Sequence, residues 1–212
     1  MIYAFFDFDG TLTKKDTLKG FAQFYWGKAF KWKLFSFLPI LIGFKLKLIN
    51  HNQAKSLFVR FFYKNQTIDQ LLQAGLDYNR YIMPDNIQPA MMERLNWHLN
   101  QGHEVCIVTA SLPYWIAPWC KQKGVNLIAT QAEEINGRLT GHLYGTNCFG
   151  QEKVIKIQQE YEISPTDNVY AYGDTESDYP MMDMAHEAFD CSNNPNSPYT
   201  LARKEPWYAK AI

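Results

Sequence analysis

The stretch MIYAFFDFDGTLT, residues 1–13, runs an apolar and aromatic segment straight into two aspartates, Asp7 and Asp9. Residues 2–8 are few, and rich in aromatic and β-branched side chains, which predicts a buried strand. Two carboxylates closing such a strand cost free energy unless a cation offsets them. The pair therefore asks for a positive partner elsewhere in the chain. Gly10 would let the backbone turn sharply away, with Thr11 to Thr13 leading into the helical segment beyond.

Outward from this stretch the text changes character twice. Across residues 16–81 aromatic and aliphatic residues recur at helical spacing among lysines, as in Phe21, Phe24, Tyr25 and Leu57, Phe58, Phe61, Phe62. The segment reads as helical throughout, with breaks expected near Gly27, Pro39, Gly43 and Gly75. After Pro84 helix and strand alternate. Helices are expected over 89–100, 112–123, 152–162 and 178–184, and strands over 104–108, 125–130 and 168–172. A hairpin is expected over 135–143, around Asn136-Gly137. This alternation predicts an α/β fold, a doubly wound parallel sheet covered on both faces, interrupted by an all-helical insertion. The expected domains are a core of 1–13 and 84–212 and a helical cap of 14–83. Strand ends at Asp7, Thr109 and Gly173 would lie together on the carboxyl edge, where such sheets bind ligands.

Charge divides along the same boundaries. The 212 residues are formally neutral, yet 14–83 holds twelve basic residues against three acids, and the remainder nine against eighteen. Such a split points to two units, one of which meets something anionic. At 47% apolar and 20% charged, the composition is that of a soluble globular protein. Cys106, Cys120, Cys148 and Cys191 form no CxxC pair and are expected to be reduced thiols of a cytoplasmic protein, with no zinc site. The N-terminus has neither a basic n-region nor a long h-region, so no signal peptide is expected. The histidines show no metal-ligand spacing, and no groove-reading motif points to nucleic acid.

Three predicted strand ends bring chemistry together: Asp7 with Asp9, Thr109-Ala110-Ser111, and Gly173-Asp174-Thr175-Glu176-Ser177-Asp178. Lys153 opens the helix before the last of them and is the best nearby cation. Converging carboxylates need a hard divalent ion, and oxygen ligands in a small site favour Mg²⁺. A carboxylate, a hydroxyl, a lysine and Mg²⁺ suit phosphoryl transfer. Asp7 would attack phosphorus, and Asp9 would serve as acid and base if its pKa were raised. Thr109 and the helix start after Ser111, with Pro113 in its first turn, would hold the phosphate. Taken singly each motif has a plain structural explanation, as a cap, a turn or a solvated lysine. Those explanations leave unaddressed why all four occur in this order at strand ends.

With DFDGTLT at 7–13, VTAS at 108–111, Lys153 in GQEKV and YGDTESDYPMM at 172–182, the sequence resembles the haloacid dehalogenase-like phosphohydrolases. Its insertion between the first two motifs is similar to that of their phosphoserine-phosphatase-like branch. The resemblance implies a helical cap, Asp7 as nucleophile and Asp9 as acid/base. It also implies Mg²⁺ held by the Asp7 carboxylate, the Asp9 carbonyl and Asp174, with Asp178 supporting. GRLTG at 137–141 and Asn194-Pro195 resemble further features of that branch.

The insertion points to two substrates. In phosphoserine phosphatases an acid after the first motif helps bind the amino group, and Asp16 stands at that offset. The place of their carboxylate-binding arginine is taken by Phe58, with Arg60 two residues on. The expected substrate is a small phosphorylated metabolite such as phosphoserine. The alternative rests on KAFKWKLFSFLPILIGFKLKL at 28–48, whose apolar run is too short to span a bilayer but is flanked by lysines and tryptophans, as in segments lying at a membrane interface. Similar caps occur in phosphatidylglycerophosphate phosphatases, which implies a membrane phospholipid substrate and peripheral contact with an anionic inner membrane face. A close-packed cap core with solvated lysines explains the same residues.

Overall fold

The computed structural model describes residues 1–192 and 194–202. Its centre is a six-stranded parallel sheet, built from β1 (Ile2–Phe6), β2 (Glu104–Thr109), β3 (Asn126–Ala129), β6 (Asn168–Gly173), β7 (Glu187–Asp190) and β8 (Thr200–Leu201). The strand order is β3-β2-β1-β6-β7-β8, with each neighbouring pair parallel. β1 is the hub: the chain winds outward to β3 and then returns to β6 on the other side of β1. Such a reversal opens a crevice at the carboxyl ends.

The unbroken apolar run of β1 follows from this position. Ala4 and Phe6 face one core with Leu95, Trp115 and Tyr172. Tyr3 and Phe5 face the other, with Val108, Ile157 and Met181. Four helices supply those covers: α6 (Pro89–Asn100), α7 (Pro113–Lys123), α8 (Gln151–Glu160) and α9 (Tyr179–Asp183). The doubly wound α/β core is thus as expected, with β1 ending at Phe6 so that Asp7 and Asp9 lie beyond it. β7 and β8 were not anticipated, being four and two residues long.

Between β1 and α6 the chain forms α1 (Thr17–Trp26), α2 (Ala29–Lys45), α3 (His51–Tyr63), α4 (Ile68–Tyr81) and the single turn α5 (Met83–Asn86). Only Gly27 breaks this segment as expected, ending α1 at φ +51°. Pro39 and Gly43 lie inside α2, and Gly75 lies inside α4. The carbonyl that Pro39 leaves without its helix donor belongs to Phe35, an exposed residue, where water can satisfy it. The actual break falls before Asn50, whose side chain accepts from the Gln53 N–H while Gln53 accepts from the Asn50 N–H.

The hairpin β4 (Gln131–Ile135) and β5 (Arg138–Tyr144) begins four residues earlier than expected and turns at Asn136-Gly137, both at positive φ. It lies outside the main sheet and attaches to the helices. Asn65 donates its N–H to the Leu139 carbonyl at 2.8 Å, Leu139 donates to Gln66 at 3.0 Å and Ile68 donates to Gly137 at 3.0 Å. All four cysteines are buried.

Candidate active site

The loop after β1 is a tight turn over Phe8–Leu12, entered by an Asp7 N–H that donates to the Tyr172 carbonyl at 2.8 Å. Gly10 sits at φ +88°, and a Cβ there would fall 2.1 Å from an Asp174 carboxylate oxygen. Glycine is therefore required twice, by the turn and by the neighbour. Gln88 holds the loop from outside: its Nε2 donates to the carbonyls of Gly10 (2.7 Å), Thr11 (2.9 Å) and Thr13 (3.0 Å). This clamp was not foreseen. A lone glutamine beside a proline carries no motif, and its partners lie about 75 residues away.

Lys153, in the first turn of α8, is buried and donates to Asp7 Oδ1 and to Asp178 Oδ1, each at 2.6 Å. It is the cation the opening stretch asked for. Burial alone would depress its ammonium, but Asp178 and Asp7 hold it above the ordinary lysine value. Asp178 is fully engaged. Its other oxygen accepts from the Asp174 and Thr175 N–H groups and the Thr175 hydroxyl, each at 3.1 Å. Gly173 permits this approach, since a Cβ there would lie 2.3 Å from that of Asp178.

Charge in the cluster is not balanced by one lysine. Burial, opposed by Lys153 and reinforced by Asp178 and Asp174, pushes the Asp7 carboxyl well above the usual carboxylate range. Asp174 is pushed up to about 6, by burial and then by Asp178. Asp7, Asp174 and Asp178 each offer an oxygen within 4.8 Å of the others. Three hard oxygen donors around excess negative charge suit Mg²⁺. Because Asp178 is occupied by Lys153 and the backbone, Asp7 and Asp174 are the freer ligands, and Asp174 Oδ1 is oriented by the Thr11 hydroxyl at 3.1 Å.

Asp9 faces the helical segment. Its carboxylate accepts from the Thr17 N–H at 2.6 Å, where α1 begins, and from the Ser111 hydroxyl at 2.5 Å. Burial, then Asp16, raises its pKa, while the Ser111 and Thr17 bonds pull the other way. Thr109 is buried, and its hydroxyl accepts from the Ser111 N–H at 3.0 Å.

A cavity of about 620 Å³ lies over these groups, reached by Asp7, Asp9, Asp16, Thr109, Ala110 and Lys153. Its opposite wall is apolar and comes from α2 and α3, including Leu34, Phe37, Leu41, Phe44 and Phe58. Arg60, expected at the substrate, does not line this cavity. Phe58 faces the cavity, and a residue two further along a helix points about 200° away. Arg60 is exposed and packs beside Gly141 of the hairpin. The cation that α3 does bring in is Lys55, which lines the cavity and is lowered to about 8 by burial, against the pull of Asp9 and Asp16.

A buried lysine tying two carboxylates at adjacent strand ends, beneath a helical cover, defines a hydrolytic α/β site at the sheet's switch point. Residues 4–183 match the family of haloacid dehalogenase-like hydrolases, and the chain belongs to that family. Protein CicA of Caulobacter vibrioides is 31% identical over 186 residues, spanning 86% of this chain and 82% of its own. Phosphoserine phosphatase SerB1 of Mycobacterium tuberculosis is 24% identical over 222 residues, spanning 96% and 68%. Among solved structures, a protein of unknown function from Bordetella pertussis Tohama I superposes with a TM-score of 0.79 at 22% identity, over 89% of each chain. A phospho-aspartyl intermediate analogue of phosphoserine phosphatase superposes at 0.60 and 21% identity, over 90% of this chain and 86% of that one.

Proposed function

We propose that this hydrolase is a Mg²⁺-dependent phosphomonoesterase working through an aspartyl-phosphate on Asp7. The observation that carries the reading is the asymmetry of Asp7. Lys153 holds one oxygen, and the other has no protein partner among the described residues, in a side chain that lines the cavity. That free oxygen attacks phosphorus while the bond to the leaving alkoxide breaks, and Asp9 supplies the alkoxide with its proton. Water then attacks the phosphorus, Asp9 takes its proton, and the bond to Asp7 breaks to release phosphate. The Thr109 hydroxyl and the Ala110 N–H bind the phosphoryl oxygens. Asp7, the Asp9 carbonyl and Asp174 would hold Mg²⁺, whose charge would offset that of those oxygens.

The substrate is a phosphorylated small molecule. Phosphoserine, named in the mycobacterial relative, needs a cation for its carboxylate and an acid for its amine. Lys55 and Asp16 both line the cavity. The wall of α2 and α3 favours a second reading, an amphipathic phosphomonoester, because a compact amino acid phosphate would leave that wall bare. We read α1–α4 as the cap.

Asp7→Asn should reduce hydrolysis of an aryl phosphate to background while the variant stays folded by circular dichroism. Turnover persisting in the purified variant would remove Asp7 as nucleophile. Asp9→Asn should still form the phosphoenzyme from an aryl ester, whose leaving group needs little acid help, and should release it slowly. A burst of phenolate followed by a slow phase is the expected signature.

A further inference from the structure

From Leu34 to Phe44, Ser36 apart, α2 is apolar around its whole circumference, a composition that belongs to a helix buried on all sides. Its inner face is buried: Phe30 and Phe37 pack into the core of the helical segment, and Leu34, Ile40, Leu41 and Phe44 line the cavity above Asp7 and Asp9. Its outer face is not. Trp32 is 78% exposed, Phe35 71% and Ile42 50%, with Leu38 beside them and Leu46 and Leu48 continuing the surface. Leu41 belongs to both faces, lining the cavity while 39% exposed, so the wall of the site runs into the outer surface.

The charges at the two ends of α2 decide what covers that face. Lys28 and Lys31 stand exposed at one end and Lys45 and Lys47 at the other, and residues 17–68 contain no aspartate or glutamate. A second copy of the chain packing its own α2 on this helix would set lysines against lysines with no acid to pair them. An anionic bilayer supplies the missing charge together with an apolar layer for Trp32 and Phe35. No helix among the described residues is long and apolar enough to cross a membrane, so α2 would lie on it.

We propose that α2 works on both faces, resting its outer face on an anionic lipid surface while its inner face receives the apolar chain of a phosphorylated lipid whose phosphate reaches Asp7. The substrate half of this inference rests on the phosphomonoesterase reading. The surface half stands without it.

Sedimentation of the full chain with vesicles tests the outer face. The protein should bind phosphatidylcholine vesicles containing phosphatidylglycerol, lose binding as salt rises and ignore pure phosphatidylcholine. Trp32→Ser with Phe35→Ser should weaken binding about tenfold or more without changing aryl phosphate turnover. Absence of binding at low salt overturns the surface assignment, as does a dimer in solution that this double variant dissociates. The inner face is read by titrating the Asp7→Asn variant with single-chain alkyl phosphates below their micelle concentrations. Affinity should rise with chain length, by up to about fourfold per methylene, and a Leu41→Asp change should flatten that rise. Affinity independent of length overturns the substrate class. Wild-type protein that hydrolyses aryl phosphate yet shows neither behaviour refutes this inference and leaves the phosphatase reading intact. Binding to both without hydrolysis of any phosphomonoester refutes the phosphatase reading instead.

Discussion

Gly10 shows how closely the site is fitted at single residues. Any Cβ there meets the Asp174 carboxylate and strains a left-handed backbone. Gly10→Ala should displace Asp174 and lower kcat on an aryl phosphate by about 10²-fold, the cost of a misplacement near 1 Å. A Mg²⁺ titration should show a raised metal requirement alongside it. His98 offers a different test, away from the chemistry. It is buried between the Tyr172 hydroxyl (2.8 Å) and His103 (2.7 Å), and burial, with Arg94 and His103 adding to it, pushes its pKa down to about 2. The unfolded chain protonates this ring below its ordinary 6.5, whereas the folded chain keeps it neutral. Its contribution is therefore complete above pH 6.5 and drains away on acidification toward 2, by about 1.4 kcal/mol per pH unit. His98→Phe should remove about one proton from the pH dependence of the urea midpoint between pH 6 and 4. An unchanged slope would show that His98 titrates normally in the fold.

Two glycines inside helices separate what an element shows in sequence from what only packing decides. Gly43 and Gly75 look alike in the sequence, and both suggest breaks. In the fold, a Cβ on Gly43 meets nothing within 4 Å, while one on Gly75 would lie 2.0 Å from the Tyr114 carbonyl oxygen, where α4 crosses α7. Gly43→Ala should stabilise the protein by about 0.5–1 kcal/mol through helix propensity. Gly75→Ala should destabilise it by about 1–3 kcal/mol by forcing two helices apart. Chemical denaturation of both variants checks the opposite signs. The sequence identifies a glycine in a helical pattern, but the neighbour that explains it lies about forty residues away. Arg60 and Lys55 repeat the lesson, because the helical phase of α3 becomes fixed only once Phe58 is seen to face the cavity. β1, by contrast, was legible because its burial on both faces is written in consecutive residues. The Asp7 and Asp9 pair was legible for the same reason: its spacing is local.

At the scale of the molecule, the carboxyl edge collects negative charge that folding must confine. Asp7, Asp174 and Asp178 share one buried ammonium, so a divalent ion binding there should favour the folded state. At a concentration one hundred times its Kd, Mg²⁺ should add about 2.7 kcal/mol of stability, seen as a raised thermal midpoint that EDTA reverses. Asp174→Asn should abolish most of that increment while leaving the metal-free midpoint equal or higher, since it removes one of the crowded charges. The order of the four motifs made this assembly readable from the chain, because three of them end strands and Lys153 opens the helix before the last. The occupant of the basic helical segment was not readable in the same way, since charge and hydrophobicity alone do not say which side of α2 faces inward.

The backbone bonds that join the hairpin to residues 65–68 bear on how this protein can be taken apart. By position in the chain, β4 and β5 belong with the core, but their backbone bonds tie them to the helices. A graft that exchanged only residues 14–83 with those of a relative would leave an orphaned ribbon whose edge has lost its partner. The transferable module is discontinuous, comprising the helical insertion together with residues 131–144. Substrate preference moved between relatives should follow only when both pieces are moved together.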